Sequence, residues 1–378
     1  MRIAIINPWS ISKKSVGGTE RFVMDLAEAL HKNGNEVDVY MFSGENHILN
    51  GISYININLL DIDGDADEYM LQEHFGKFDT DDAYDNLAKL LESKIDVTKY
   101  DFIQLNSLLF LQAWRWKKRV FTIHTNPFEY ELAWGKTSYT KCLEIMKRYK
   151  ENPDTIFVAP SKFYAELYSE LTNCKIEYIP HAIDISRLET QSLKEKIIHK
   201  YSLAENRIHI IVPSRLEPIQ KQPMLLLDAC CLLPQEMKEQ IEIIYTGLDK
   251  QYIKFVDELK NKAKENSIII HIIRFDEMAE VYKIGDFTVL PSKSESFGYS
   301  ALESLSLGIP TILNSIPTFL EISTGNENAY LFNNSTVELK DLIAKFIEQN
   351  DFKRAIPPFA WSEQYSMNSF ANNYLKLI

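Results

Sequence analysis

The chain has 378 residues, of which 45% are hydrophobic and 25% charged, and carries a formal net charge of −12. That length supports two domains, each able to bury its own core. The composition is that of a soluble globular protein, and the acidic balance disfavours a nucleic-acid partner. Four cysteines without metal-ligand spacing fit a reduced, cytoplasmic setting. The opening MRIAIINPW reads as a buried strand rather than a signal peptide, and no apolar run reaches membrane-spanning length.

In chain order, short β-branched runs predict strands at residues 2–7, 36–42, 102–106, 120–124, 155–159 and 177–179. They alternate with helical periods at 20–32, 82–95, 138–149 and 162–171. Residues 61–80 are acidic and least regular and read as an inserted loop, with Lys77 the single base among nine carboxylates between Asp61 and Asp82. The pattern then repeats, with strands at 208–212, 242–246, 268–273, 287–290 and 311–313 and helices at 222–233, 252–264, 279–284, 299–307 and 337–349. Strand–helix alternation of this kind implies parallel, doubly wound sheets. The expected division is 1–185, 186–358 and a helical tail at 359–378 with an apolar stripe of Phe370, Tyr374 and Leu377. Neither half contains G-x-G-x-x-G, which lowers a dehydrogenase reading.

The richest stretch is 289–311, VLPSKSESFGYSALESLSLGIPT. Its loop leaves the carboxyl end of a strand and enters a helix, the place where ligands sit in open α/β sheets. Gly298 keeps side-chain bulk away, and the free amides from Tyr299 through Ser300 to Ala301 favour an anion. Glu295 precedes this anion site and Glu303 lies a turn beyond, so a phosphate between two hydroxyl-bearing groups, a nucleotide sugar, fits. A glycosidase pair does not: Gly298 to Glu303 alone rises on the order of 7 Å along the helix, against carboxyls about 5 Å apart in retaining glycosidases. Elsewhere, Gly17-Gly18 follows the first strand and allows a positive-φ turn with close ligand approach, and Asn33-Gly34 caps the helix behind it. His124 ends a predicted strand on its ligand-facing end. Arg215 and Lys221 follow the first strand of the second half, a basic pair suited to a leaving group that gains negative charge.

Glu295-Ser296-Phe297-Gly298, the seven residues between Glu295 and Glu303, and the trailing Gly308-Ile309-Pro310 resemble the retaining glycosyltransferases of family 4. The resemblance implies the GT-B fold: α/β, two Rossmann-like domains facing a central cleft, with a C-terminal helix crossing back to the first. It implies retaining transfer from a nucleotide diphosphate sugar, UDP-linked by default, to an acceptor hydroxyl, without metal or other cofactor. In that pattern Arg215 and Lys221 neutralise the donor diphosphate. Glu295 holds sugar hydroxyls, Ser296, Phe297, Gly298, Tyr299 and Ser300 line the sugar and phosphate, and Glu303 takes the ribose hydroxyls. His124 meets the donor sugar near the reacting carbon, the Gly17-Gly18 loop faces the donor phosphate and the acceptor, and Arg274-Phe275 lie beside the base. The chain departs from the pattern in four places. Lys221 follows Arg215 by six positions rather than five, Gln222 and Asp276 stand where glycine is common, and His181-Ala182 replaces Asn-Gly in a hinge segment read as structural.

Asp61-Ile62-Asp63 looks like a D-x-D metal motif but lies in the irregular acidic stretch. Trp114-Arg115-Trp116-Lys117-Lys118-Arg119 reads as a helix end entering a strand, and also admits peripheral contact with an anionic membrane at its inner face. The acceptor, whether glycan, lipid-linked glycan, protein or small molecule, is not named by any motif. Two rival readings are a non-catalytic subunit supporting a partner transferase and a nucleotide-sugar epimerase on the same fold; a phosphorylase would need a pyridoxal lysine without local signature here.

Overall fold

The computed structural model describes residues 1–8, 11, 17–60, 68–127, 131, 135–247 and 252–378, so Asp61-Ile62-Asp63 lies outside the described residues. The chain separates into two compact units, Met1–Ala182 with Gln364–Ile378, and Ile183–Glu363.

The first unit is built on β1 (Arg2–Asn7), β2 (Glu36–Met41), β3 (His47–Leu49), β4 (Ile52–Asn56), β5 (Phe102–Leu105), β6 (Arg119–Thr122), β7 (Thr155–Ala159) and β8 (Ile176–Tyr178). Their order in the sheet is β3-β4-β2-β1-β5-β6-β7-β8, with every pairing parallel except β3 against β4. Ile3, Ile5, Ile6, Phe102, Ile103, Leu105, Val120 and Phe121 are buried, which is why these strands read as apolar runs. The chain leaves β1 toward β2 and later returns to β5 on the other side. The sheet therefore reverses direction between β1 and β5.

The β3–β4 hairpin is absent from the sequence reading, although Asn50-Gly51 is the strongest short hairpin signal. Both residues have positive φ, 53° and 82°. The acidic stretch also differs from expectation. Glu68–Phe75 is helical, and Leu71 and Phe78 are buried in the first unit's core, so its second half is structure rather than a loose insertion. Trp114–Arg119 is a turn entering β6 rather than a helix end. Trp114 and Arg119 point inward. The Arg119 guanidinium donates to the carbonyls of Leu111 (2.9 Å) and Ala113 (2.6 Å) and to Thr155 Oγ1 (3.0 Å). Lys118 Nζ donates to the carbonyl of Ile378. Only Trp116 and Arg115 of that segment are exposed. Among the described residues, no helix is long and apolar enough to cross a membrane.

The second unit contains β9 (Ile208–Arg215), β10 (Ile241–Gly247), β11 (Ile269–Ile272), β12 (Phe287–Leu290), β13 (Thr311–Asn314) and β14 (Ala329–Phe332). The order is β11-β10-β9-β12-β13-β14, all parallel, so this sheet reverses between β9 and β12. Strand β14 and the short helices Lys194–Lys200 and Pro317–Ser323 were not expected, being too short for periodicity to declare them.

The tail forms the helix Met367–Leu375, which packs on the helix Gly18–Lys32 within the first unit. Phe370 and Tyr374 are buried there, their rings 5.8 and 6.2 Å from that of Phe22. Phe370→Ala should therefore lower stability by about 3–5 kcal/mol, measured by urea unfolding. A loss below about 1 kcal/mol would show that the tail is dispensable to the first unit.

Candidate functional site

In the second unit, the loops that leave β9 and β12 border the point where strand order reverses, the place where open α/β sheets bind ligands. The first loop is shaped by Glu217. Its carboxylate accepts from the amides of Ile219 (2.9 Å), Gln220 and Lys221 (3.2 Å), closing a tight turn at Pro218. Gln220 then ties this loop to the next. Its carbonyl accepts from the Lys293 amide (2.7 Å), and its side-chain amide donates to the carbonyl of Ser294 (3.1 Å). Lys221 Nζ and Glu295 Oε1 form an ion pair at 2.7 Å, with side chains only 12% and 14% exposed. The family resemblance assigned these two residues to different parts of a ligand. The structure couples them into one group.

The rest of the E-x7-E stretch is similarly over-determined. Thr318 Oγ1 donates to the Glu295 carbonyl at 2.6 Å, and Asn314 Nδ2 to that of Ser292 at 3.0 Å. Gly298 sits at φ 97°, and a Cβ there would meet Phe319 at 2.7 Å, so glycine is required by both backbone and neighbour. Its carbonyl accepts from the amides of Ala301 and Leu302, which starts the helix Tyr299–Ser306. Phe297 is buried with its ring edge-on to Tyr299 at 5.3 Å, while Ser296 is half-buried. Ser300 is partly committed elsewhere, its hydroxyl donating to the Pro213 carbonyl at the end of β9. Glu303 is not an exposed helix carboxylate. It is 8% exposed, and its Oε2 accepts from the hydroxyl of buried Tyr282 at 2.6 Å. Tyr282 carries no sequence signal of its own, since its hydroxyl meets Glu303 only through packing.

Arg215 ends β9 with an exposed side chain, and Gly247 lets β10 approach it: a Cβ at Gly247 would lie 2.5 Å from the Arg215 Cα. Gln222, where glycine was expected, does adopt the left-handed conformation, φ 47° and ψ 47°, and leads into the helix Pro223–Cys231. The site thus keeps the backbone that glycine would ease and holds it with a side chain that finds it costly. Beyond β11, Arg274 is exposed and Phe275 packs on Tyr201, ring centroids 4.4 Å apart. Asp276, the other departure from glycine, pairs with Lys200 at 2.8 Å.

In the first unit, the reversal between β1 and β5 is bordered by Asn106. His124 lies two residues beyond the end of β6 rather than on the strand itself. Its Nε2 donates to Asn106 Oδ1 at 3.2 Å. Its ring meets Phe22 edge-on at 4.6 Å and lies 5.7 Å from the ring of His181. Burial pushes the His124 imidazole down to about 3. Burial first, and then the neighbouring His124, hold His181 well below the ordinary histidine range. His124 is therefore a neutral hydrogen-bonding group rather than a charged one. Gly17 does not take a positive φ: it is extended at φ −79° and precedes the helix Gly18–Lys32. The Glu20 carboxylate folds back to within 2.0 Å of where a Gly17 Cβ would lie, and, as the end of a flexible side chain, it could move aside for one. Gly18 begins the helix, and Gly34, at φ 81°, follows the C-capping residue Asn33 as the sequence suggests.

Residues 16–187 match the family model described as Glycosyltransferase Family 4, and residues 194–358 that described as Glycosyl transferases group 1. An uncharacterized glycosyltransferase of Methanocaldococcus jannaschii is 22% identical over 350 residues, covering 85% of this chain and 82% of that protein. The alpha-monoglucosyldiacylglycerol synthase of Streptococcus pneumoniae is 24% identical over 249 residues, 61% of this chain and 54% of its own length. Among solved structures, sucrose-phosphate synthase from Thermosynechococcus elongatus is similar with a TM-score of 0.75 at 18% identity, covering 100% of this chain and 98% of that one. HepE of Anabaena, solved with UDP and glucose, is similar with a TM-score of 0.72 at 15% identity, covering 100% and 98%. The fold is GT-B. With both family models spanning the chain in order, the protein is a glycosyltransferase of the family 4-like, GT-B class.

Two substitutions with opposite outcomes check the loop geometry. Gly298→Ala should cost at least about 1–2 kcal/mol from left-handed backbone, besides its collision with Phe319. Gln222→Gly should leave the melting temperature unchanged or raise it; a marked loss would show that the Gln222 side chain, not the backbone, matters there. Buried His181 and half-buried His124 set a pH dependence. Each has a folded pKa below its unfolded value, so it binds its proton more readily when unfolded. Stability is then complete above about pH 6.5 and falls as pH drops toward the folded-state values. The loss is at most about 1.4 kcal/mol per pH unit for each proton. Unfolding series between pH 7 and pH 5 should show this slope, and His181→Gln should flatten it.

Proposed function

We propose that the protein is a retaining glycosyltransferase that moves a sugar from a nucleotide diphosphate donor to an acceptor hydroxyl. The single observation that carries the reading is the Lys221–Glu295 pair at 2.7 Å, held by the loops after β9 and β12 in a chain of glycosyltransferase class. A cation and a carboxylate joined at the topological switch point, ahead of the amino end of the helix Tyr299–Ser306, suit a ligand with both phosphate and hydroxyl groups. That HepE, similar in fold, was solved with UDP and glucose supports a UDP-linked donor.

In this reading the bond between the sugar's anomeric carbon and the diphosphate oxygen breaks. A new bond to the acceptor oxygen forms on the same face, and the acceptor proton passes to the departing phosphate oxygen. No protein base and no metal is needed. Lys221 and exposed Arg215 stabilise the charge that develops on the diphosphate, and the helix amides add to it. Lys221 is already oriented by Glu295, so little reorganisation accompanies that charge. Glu295 accepts from donor-sugar hydroxyls with its remaining lone pairs, and Glu303, fixed by Tyr282, accepts from the ribose. Arg274 and Phe275 flank the base.

A panel of nucleotide diphosphate sugars, scored by thermal shift and by turnover, tests this. A donor at a hundred times its Kd should add about 2.7 kcal/mol of stability. Lys221→Ala and Glu295→Ala should each lower transfer by about 10²–10³-fold while leaving the circular dichroism spectrum unchanged. No melting shift and no turnover with any donor would sink the proposal, as would near-normal transfer by both variants.

A further inference from the structure

The first unit holds a buried chain of polar side chains that no motif predicts. Tyr374, on the C-terminal helix, shares a hydrogen bond with Thr122 Oγ1 at 2.7 Å. Gln104 Nε2 donates to the same Thr122 oxygen at 2.7 Å and reaches Asn106 Oδ1 at 3.3 Å. Asn106 Oδ1 in turn accepts from His124 Nε2 at 3.2 Å. Tyr374, Thr122, Gln104 and Asn106 are each no more than 2% exposed. Four side chains from separate parts of the chain thus run without interruption from the tail helix, through the residues of β6 and β5, to the candidate site.

The direction of these bonds follows from one fixed acceptor. Asn106 also touches the backbone carbonyl of Ile6 on β1, 3.3 Å from Nδ2. A carbonyl only accepts, so the NH₂ of Asn106 must face Ile6 and its oxygen must face the other way. Turning the amide over would set oxygen against the Ile6 carbonyl, a repulsive contact in a buried place. The backbone amide of Asn106 also donates to Ile6 at 3.1 Å, which pins the residue to β1. With Oδ1 facing His124, the histidine nitrogen opposite it must carry the proton. His124 is then the Nε2–H tautomer, and its Nδ1 is left as an acceptor.

We propose that Asn106 is a positioning residue that fixes the tautomer and ring orientation of His124, and that Tyr374 on the C-terminal helix is the far end of the relay that holds Asn106 in place. The inference concerns the imidazole of the free protein and so stands apart from the transferase reading. It gives the returning tail a role at the site in addition to its packing on Phe22. It also gives buried Gln104 and Thr122, interior positions where apolar residues would pack more simply, a reason to be polar.

Long-range ¹H–¹⁵N correlation spectra of protein labelled with [¹⁵N]histidine read the protonated nitrogen directly, with His124 assigned by its loss in His124→Gln. Wild-type protein should show protonated Nε2 and bare Nδ1. Asn106→Ala should shift both nitrogens toward averaged values as the tautomers mix, whereas Asn106→Asp, which keeps an oxygen acceptor, should retain the proton on Nε2. Tyr374→Phe keeps the aromatic packing and removes only the hydroxyl, so it should move the His124 nitrogens in the same sense as Asn106→Ala, by less. Proton on Nδ1 in the wild type, or an Asn106→Ala spectrum identical to it, overturns the positioning role. An unchanged His124 in Tyr374→Phe overturns the relay. If Asn106→Ala fails to fold, the wild-type tautomer and the other two variants still decide the question.

Discussion

Reversal of strand order within each parallel sheet is the constraint on which the rest of this structure depends. Parallel strands buried on both faces leave no room for a ligand except beyond their carboxyl ends. Where two neighbouring strands send their loops apart, a crevice must open. In the second unit that point lies between β9 and β12, and in the first between β1 and β5. The chemistry-bearing side chains gather at these places: Lys221 and Glu295 at one, Asn106 with His124 beside it at the other.

What holds the second-unit site is mostly neutral and mostly backbone-directed. Glu217 closes a turn on consecutive amides, Gln220 bridges two loops, and Thr318 and Asn314 secure carbonyls of the next. These bonds shape a loop pair whose charged members then have little freedom. An ion pair of two largely buried side chains costs desolvation, and removing one partner leaves the other uncompensated. Such a pair is weak evidence for stability and better evidence for a site that keeps its charges oriented. The first unit uses a different device. Burial keeps His124 and His181 neutral, and hydrogen bonds rather than charges decide how His124 presents itself.

Much of this was legible in the residues. Strands β1, β7 and β12 coincide with their apolar runs, and most helices lie within a residue or two of their period. The helix that begins at Tyr299 follows from local rules that need no tertiary information. The losses have physical reasons. The β3–β4 hairpin and β14 are short, and the runs on either side of Asn50-Gly51 alternate only weakly. Trp114–Arg119 looks like a surface patch because composition cannot tell that the guanidinium of Arg119 turns inward to two carbonyls. Gly17 was credited with a positive φ, yet it is extended and leads directly into the helix Gly18–Lys32.

By itself, the sequence determined two doubly wound units, the loops that carry Arg215, Lys221 and Glu295, and the class of chemistry those residue types suit. These are local matters of periodicity, glycine geometry and charge. Only the tertiary structure decided that Lys221 and Glu295, 74 positions apart, form one ion pair. It alone placed the Tyr282 hydroxyl on Glu303 and connected Tyr374 to His124 through three buried side chains. Such contacts arise where distant segments pack on one another, and hydrogen-bond direction across them depends on which atoms the backbone has already taken.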